Sequence, residues 1–290
     1  MPRSNRTRPA IAFQGEPGAY GQEAIIGYFG EGNVEPIAVP TFSAVCASVE
    51  GGETAGGVLP LENSAAGSVG DALDALVHGR LRVIGEVLLP VRHQLLAAWG
   101  VELSAIRRVS SHWQALAQCD RYLAATGWEE IPAADTAGAA RDLAASRDPH
   151  LAVIASQRAA DRYRLRILAS DIQDDPGNQT RFAVLARRRA AVPRPAGPFA
   201  PSPHAARSTI ITFQTAHMAG ALHRALGALA EGGVNLSRIE SRPAGGTRWQ
   251  YRFLVQVDGD QRAEPLRSAL ARLRRQTRSV RVLGSFPAAG

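Results

Sequence analysis

Short apolar runs alternate with stretches of helical spacing through the first 186 residues of the chain. Residues 10–13, 36–39, 57–61, 82–89, 95–99, 108–110, 151–155 and 181–186 are apolar and short enough to read as strands. Alternation of this kind predicts an α/β fold. Polar residues close several runs where a helix would open: Ser111 precedes a predicted helix over 113–125, and Ser156 precedes one over 157–163. In an open α/β sheet the loops after strand ends gather at one crevice, where helix N-termini present unpaired N–H groups and the positive end of a dipole. The pattern therefore predicts a cleft suited to an anion, although each serine or threonine also reads plainly as a cap.

Residues 190–206 hold five prolines and almost no large apolar side chain, the composition of an interdomain linker. This divides the chain into an α/β unit over 9–189, a linker over 190–207 and a second unit over 208–287. In the second unit residues 209–213 read as a strand, and Leu222, Leu226 and Leu229 form a helix stripe ended by Gly232 and Gly233. Residues 236–241 form a second strand. A third runs from Trp249, with Tyr251, Phe253, Val255 and Val257 alternating with Gln250, Arg252 and Gln256, so one face is predicted buried and one wet. Leu266, Leu270 and Leu273 repeat the helix stripe before a last strand over 280–283. The order βαββαβ is that of a ferredoxin-like sandwich.

Composition narrows the chemistry. The 33 basic residues are all arginine, and a chain without lysine excludes Schiff-base, pyridoxal phosphate and P-loop mechanisms. Cys46 and Cys119 lie in no CxxC or Cys/His cluster, so neither a disulfide framework nor a metal site is expected. The longest apolar run, 83–91, falls far short of a membrane span, and the basic start of the chain lacks a signal-peptide apolar region, giving a cytoplasmic expectation. The net charge of +7 raises the question of nucleic acid. Arg187, Arg188, Arg189, Arg194 and Arg207 lie at the domain junction and seven more arginines fall from Arg262 to Arg281 among periodic leucines, which reads instead as a basic linker and a solvated helix face.

Three segments carry candidate chemistry. The run Gly57–Leu61 ends in Glu62, Asn63 and Ser64, and Asn63 offers both a donor and an acceptor. Ser111, His112 and Gln114 crowd the first turn of an otherwise apolar helix. A turn-rich loop enters the last strand through Asn178, Thr180, Arg181 and Phe182, where Thr180 supplies a hydroxyl and Arg181 a planar fork suited to a carboxylate.

Glu62-Asn63-Ser64, Ser111-His112-x-Gln114 and Asn178-x-Thr180-Arg181-Phe182, in that order and with residues 15–22 near the start, resemble the signatures of the prephenate dehydratases. Past the linker, Gly220-Ala221-Leu222 and Glu240-Ser241-Arg242-Pro243 resemble the phenylalanine-binding pair of an attached ACT domain, so the resemblance covers residues 10–287. It implies a two-lobed catalytic domain like that of periplasmic binding proteins, followed by a ferredoxin-like ACT domain. The implied activity is conversion of prephenate to phenylpyruvate with loss of water and CO2, in phenylalanine biosynthesis and with no cofactor. Thr180 is then the donor at the departing hydroxyl, with Asn63 and Gln114 positioning the ring. Substrate contacts are implied for Glu62, Ser64, Ser111, His112, Thr136, Arg181 and Phe182, with the alternatives that His112 only orients neighbours, Arg181 braces its loop and Phe182 packs in the core.

Phenylalanine is implied to bind at Gly220, Ala221, Leu222, Asn235, Glu240, Ser241, Arg242 and Pro243, between protomers of a homodimer or homotetramer. Trp113, Asp135 and Ala219 depart from the usual pattern, and Asp135 adds negative charge beside Thr136. Arogenate dehydration, non-aromatising decarboxylation of prephenate and a non-catalytic amino-acid sensor are the rival readings. Nucleic-acid and membrane partners are not expected.

Overall fold

The computed structural model describes residues 8–244 and 250–289, so Trp249 and the basic first seven residues lie outside the described residues. The chain opens with β1 (Ala10–Gln14), α1 (Tyr20–Phe29), β2 (Glu35–Val39), α2 (Phe42–Gly51), β3 (Gly56–Asn63), β4 (Gly67–Ser68), α3 (Gly70–His78) and β5 (Arg82–Pro90). It crosses into a second lobe built from β6 (Gln94–Ala97), β7 (Arg108–His112), α4 (Trp113–Ala117), α5 (Asp120–Ala124), β8 (Glu129–Ala133), α6 (Thr136–Ser146), β9 (Leu151–Ala155), α7 (Gln157–Tyr163) and β10 (Arg166–Ala169). Then β11 (Gln179–Ala186) returns to the first lobe. The last unit comprises β12 (Arg207–Gln214), α8 (Ala221–Ala230), β13 (Leu236–Pro243), β14 (Tyr251–Asp258), α9 (Leu266–Gln276) and β15 (Ser279–Pro287).

The first sheet has the order β2-β1-β3-β11-β5, parallel from β2 to β3, with β11 antiparallel to both of its neighbours. The second has the order β10-β6-β9-β7-β8. Two connections join the lobes side by side: Val91 N–H donates to Asn178 O at 2.8 Å and Ile172 N–H to His93 O at 3.0 Å. This is the two-lobed architecture expected from the resemblance. The C-terminal sheet, β13-β14-β12-β15, is antiparallel throughout and carries α8 and α9 on one face, as in a ferredoxin-like sandwich.

Every apolar run read as a strand is one. Three further strands escaped: the edge strands β8 and β10, whose residues are exposed or half-exposed and show no buried face, and the two-residue β4. The helix expected over 113–125 is broken into α4 and α5, and His112 rather than Ser111 caps it, Nδ1 accepting from Gln114 N–H at 3.3 Å. Ser156 caps α7 as expected and also donates to Gly18 O at 2.7 Å. There Gly18, at φ 98°, brings the loop after β1 so close to α7 that a Cβ would lie 2.9 Å from Ala159 Cα.

The third strand of the C-terminal unit was expected to have a wet face, and it does not. Leu254 and Gln256 are as buried as Val255 and Val257, because the second face of this sheet packs on the first lobe. Ile210, Leu254, Leu283 and Phe286 share one apolar cluster with Leu61, Leu73, Leu76, Val83 and Leu185. The linker is likewise held down. Gly197 N–H donates to Tyr28 O at 3.0 Å, Phe199 N–H to Gly27 O at 2.7 Å, and the Phe199 ring joins the cluster around α1.

Where β15 crosses β5, a Cβ on Gly284 would collide with the Val83 carbonyl. Replacing Gly284 by Val is expected to destabilise the chain by about 1–3 kcal/mol through overpacking, read as a lowered urea midpoint with an unchanged slope.

Candidate active site

The ends of β3 and β11 lie side by side in register, Thr180 opposite Asn63 and Arg181 opposite Glu62. Successive side chains of a strand point to opposite faces. Asn63 and Thr180 therefore share one face and Glu62 and Arg181 the other. The first pair opens on a cavity of about 540 Å³ between the two lobes, whose wall also includes His93, His112, Gln114, Gln118 and Phe182.

Tyr20, Phe42, Gly70, Trp113 and Thr136, the first residues of α1, α2, α3, α4 and α6, all stand on this wall. Helix N-termini turn backbone N–H groups and the positive end of the peptide dipole toward such a space. Among the described residues the wall includes no arginine. Burial lowers the pKa of both His93 and His112, opposed by the Gln118 hydrogen bond at His93 and by Asp135 at His112, so both rings are neutral at pH 7. Asp71 and Asp135 are the acidic residues of the wall. Asp135 Oδ1 is engaged in capping α6, accepting from Gly138 N–H at 2.7 Å. Among the described residues no group of three His, Cys, Asp or Glu side chains is arranged to hold a metal.

A chain of hydrogen bonds ends at Thr180. Asn63 Oδ1 accepts from Ala65 N–H at 3.1 Å and Ala66 N–H at 2.8 Å, which fixes the orientation of the amide. Its Nδ2 then faces acceptors only: Asn178 Oδ1 at 2.7 Å, Gln179 O at 3.1 Å and Thr180 Oγ1 at 3.0 Å. Gln118 Nε2 donates to Asn63 Oδ1 at 3.1 Å, while Gln118 Oε1 accepts from Asn178 Nδ2 at 3.0 Å. His93 Nε2 stands 2.9 Å from the same Gln118 oxygen and must be its donor. That tautomer leaves His93 Nδ1 as an acceptor 2.9 Å from the Tyr20 hydroxyl, whose one proton is also within reach of Arg92 O at 2.9 Å. Burial raises the Tyr20 pKa, so the phenol keeps its proton. Thr180 Oγ1 thus receives a hydrogen bond, and among the described residues its own proton has no recorded protein acceptor and is available to a ligand in the cavity.

A sequence profile described as prephenate dehydratase matches residues 11–190. The chain belongs to the prephenate dehydratase family. It is 38% identical to an Arabidopsis thaliana protein named arogenate dehydratase/prephenate dehydratase 2, over 98% of this chain and 74% of that one. It is 34% identical to the bifunctional chorismate mutase/prephenate dehydratase of Neisseria gonorrhoeae, over 96% of this chain and 74% of that one. Among solved structures, the prephenate dehydratase of Arthrobacter aurescens in complex with L-Phe aligns with a TM-score of 0.86 at 33% identity, covering 96% of this chain and 90% of that one. A structure described as GqqA, a novel type of quorum quenching acylase, aligns with a TM-score of 0.85 at 34% identity, covering 97% of this chain and 98% of that one.

The structure brings together only some of the residues that the family motifs select. Asn63, Thr180, Gln114, His112, Thr136 and Phe182 all reach the cavity wall, Phe182 also packing in the core. Glu62 and Arg181 do not, because strand alternation turns them to the reverse face, where Arg181 Nη1 donates to Glu86 Oε1 at 2.7 Å. Ser111 is fully buried and donates to Ile154 O at 2.6 Å inside the second lobe. Ser64 stitches strand ends, its Oγ accepting from Gln179 N–H at 2.9 Å. These four are corrections to the expected substrate contacts.

Gln118, His93, Tyr20 and Asn178 were missed as site residues. Gln118 sits one helical turn beyond Gln114 in the motif already singled out, so its spacing could have exposed it. His93 and Tyr20 come from different lobes and carry no local sequence signal.

The residues selected for an effector are divided. Ala221 and Leu222 line a cavity of about 170 Å³ with Met218, Tyr251 and Phe253, and Gly220 opens α8 at φ 72°. Glu240 and Arg242 reach instead to Ser68 and Asp74 of the first lobe. Asn235 donates to Asp258 Oδ2 at 2.9 Å, and Ser241 and Pro243 pair with Phe253 and Tyr251 across the sheet.

Gln118→Leu is expected to lower kcat by about tenfold or more, Gln114→Leu by less, since only Gln118 holds Asn63; steady-state kinetics on both variants compares them. A second expectation concerns pH. Unfolded His93 takes up a proton near pH 6.5, whereas the folded protein does so only at lower pH, so stability falls as pH drops through that window. His93→Gln should flatten this loss, measured as the urea midpoint at pH 7 and pH 5.

Proposed function

We propose that the chain converts prephenate to phenylpyruvate, with loss of water and CO2. The observation that carries the reading is the Thr180 hydroxyl, whose oxygen is held by Asn63 on the cavity wall, leaving its proton to be donated to a ligand there. As the ring carboxylate leaves as CO2, its bonding electron pair enters the ring and the bond to the ring hydroxyl breaks. Charge grows on that departing oxygen. A hydrogen bond from Thr180 strengthens with it, and solvent supplies the proton that completes the water molecule. Stabilisation of this kind is worth about 2.7–4 kcal/mol where one preorganised donor is concerned.

The cavity holds the anion by helix N-termini and neutral amides instead of the arginine expected from the motif. Poor solvation of the ring carboxylate among apolar groups such as Val58, Pro60, Val91 and Phe182 favours loss of CO2. Arogenate dehydration is the second reading, because close relatives carry that name and the chemistry at the ring is the same. An acylase reading needs an activated nucleophile. Ser68, the only serine on the wall among the described residues, is bonded to Glu240, and burial pushes the thiol of fully buried Cys119 up to about 12.

The reading extends to regulation and assembly. We take residues 9–189 as the catalytic domain, 190–207 as a linker and 208–287 as an ACT domain that binds phenylalanine between protomers of a homodimer or homotetramer. Supporting this are the separate third sheet, the L-Phe complex of the relative, and the small cavity bordered by exposed Met218 and Tyr251. No helix of the described residues is long and apolar enough to cross a membrane, which accords with the cytoplasmic assignment.

Purified protein incubated with prephenate should yield phenylpyruvate, and with arogenate phenylalanine, in proportions that rank the two substrates. Thr180→Ala should lower kcat by about 10²–10³ with a small change in KM, and Thr180→Ser should retain more activity. No turnover of either substrate by the unmodified protein would overturn the reading.

A further inference from the structure

Glu62 and Arg181, immediate neighbours of Asn63 and Thr180, form a half-buried polar seam with the C-terminal sheet. Arg181 Nη1 donates to Glu86 Oε1 at 2.7 Å, and Glu86 Oε2 accepts from Gln256 of β14 at 2.9 Å. From β13, Arg238 reaches into the first lobe, where its Nη2 donates to Leu61 O at 2.8 Å. Glu62 stands between the two guanidiniums. Its Oε2 is 3.6 Å from Arg181 Nε and 3.6 Å from Arg238 Nε, hydrogen-bonded to neither.

Arg238 Nε and Nη1 are buried without a hydrogen-bond partner. Buried donors left unpaired carry a desolvation penalty that a small approach of Glu62 would relieve. The Glu62 carboxylate thus stands within reach of one guanidinium on each sheet, and it is carried on β3 at the residue before Asn63. Strand β13 meets the first lobe again farther along. Glu240 is bonded to Ser68 on the cavity wall, and Arg242 clasps Asp74 of α3 at 2.7 and 2.5 Å.

We infer that Arg238 is a positioning residue: by gripping the Leu61 carbonyl and competing with Arg181 for Glu62, it sets the placement of Asn63 and Thr180 and carries the state of the C-terminal sheet into the cleft. The inference rests on the dehydratase reading and deepens it, because it names how an effector on this sheet reaches the chemistry. A purely structural interface would tie activity to stability alone. A positioning role changes kcat and effector response at constant fold.

The experiment uses the full chain with Arg238→Met, Arg238→Lys and Glu62→Gln, measuring kcat and KM for prephenate with and without phenylalanine, phenylalanine binding by calorimetry, and the melting temperature. Arg238→Met should lower kcat by about tenfold with KM within about threefold, and Arg238→Lys should recover part of it. In Arg238→Met and Glu62→Gln, phenylalanine should still bind but no longer change turnover. Glu62 is partly exposed, so its variant decides the matter if Arg238→Met fails to fold.

Wild-type kinetics and effector response in Glu62→Gln and Arg238→Met would overturn the inference, as would losses that track melting temperature without rescue by lysine. A wild-type protein that turns over prephenate but binds phenylalanine without any change in rate would overturn its effector half. Absence of turnover in the wild type sinks the dehydratase reading itself, a result distinct from all of these.

Discussion

The two-residue period of a β-strand is the constraint on which this molecule turns. Two antiparallel strand ends, β3 and β11, are paired so that one amide and one hydroxyl look into the interlobe cavity while a carboxylate and a guanidinium look the other way. A one-residue slip of either strand would exchange those faces. Register is pinned by groups outside the ladder. Ser64 and Gln179 tie the strand tips together, and the Asn63 oxygen is held by two backbone N–H groups of the turn that follows. With that amide fixed, the polarity of the whole hydrogen-bonded chain follows, through Gln118 to the tautomer of His93.

Electrostatics in the cleft differ from those of the chain as a whole. A protein with 33 arginines and a net charge of +7 leaves arginine, among the described residues, off the wall of the interlobe cavity and brings helix N-termini, neutral amides and two aspartates to it. Fixed dipoles suit a reaction that sheds CO2 from a carboxylate. A guanidinium clamped on that group would stabilise the charged ground state and oppose its loss, whereas donors aimed at the departing oxygen act where charge appears. The arginines of the reverse face serve cohesion between the first lobe and the C-terminal sheet. Arg281, for example, donates to Gly79 O and Val77 O at the end of α3, satisfying carbonyls that a helix end leaves open.

Strands with apolar runs and the βαββαβ order were legible from residue spacing alone, because burial on a face imposes a period on the sequence. Edge strands β8 and β10 were not, since half-exposed positions obey no such period. The motifs converge on one cavity, yet they could not say which member of each motif faces it. Glu62, Ser111 and Arg181 are adjacent to true wall residues in sequence and opposite to them in space. Side-chain direction at a strand end depends on register, and register is a tertiary property. His93 and Tyr20 were invisible for a related reason: a buried histidine acquires its role only from partners that lie far off along the chain. The dry second face of β14 also escaped, because Gln256 reads as solvent-facing until a second sheet is known to cover it.

The proline-rich stretch illustrates how composition can mislead about mechanics. It reads as a tether, but Gly197 and Phe199 lie strapped onto α1, with the phenyl ring seated in the same apolar cluster as Ile25 and Phe29. Severing the polypeptide near residue 190 would therefore strip a plug from the first lobe as well as removing the third sheet. The bared patch would favour self-association of the remaining fragment, so the two halves of this chain are poor candidates for independent inheritance as freely exchangeable modules.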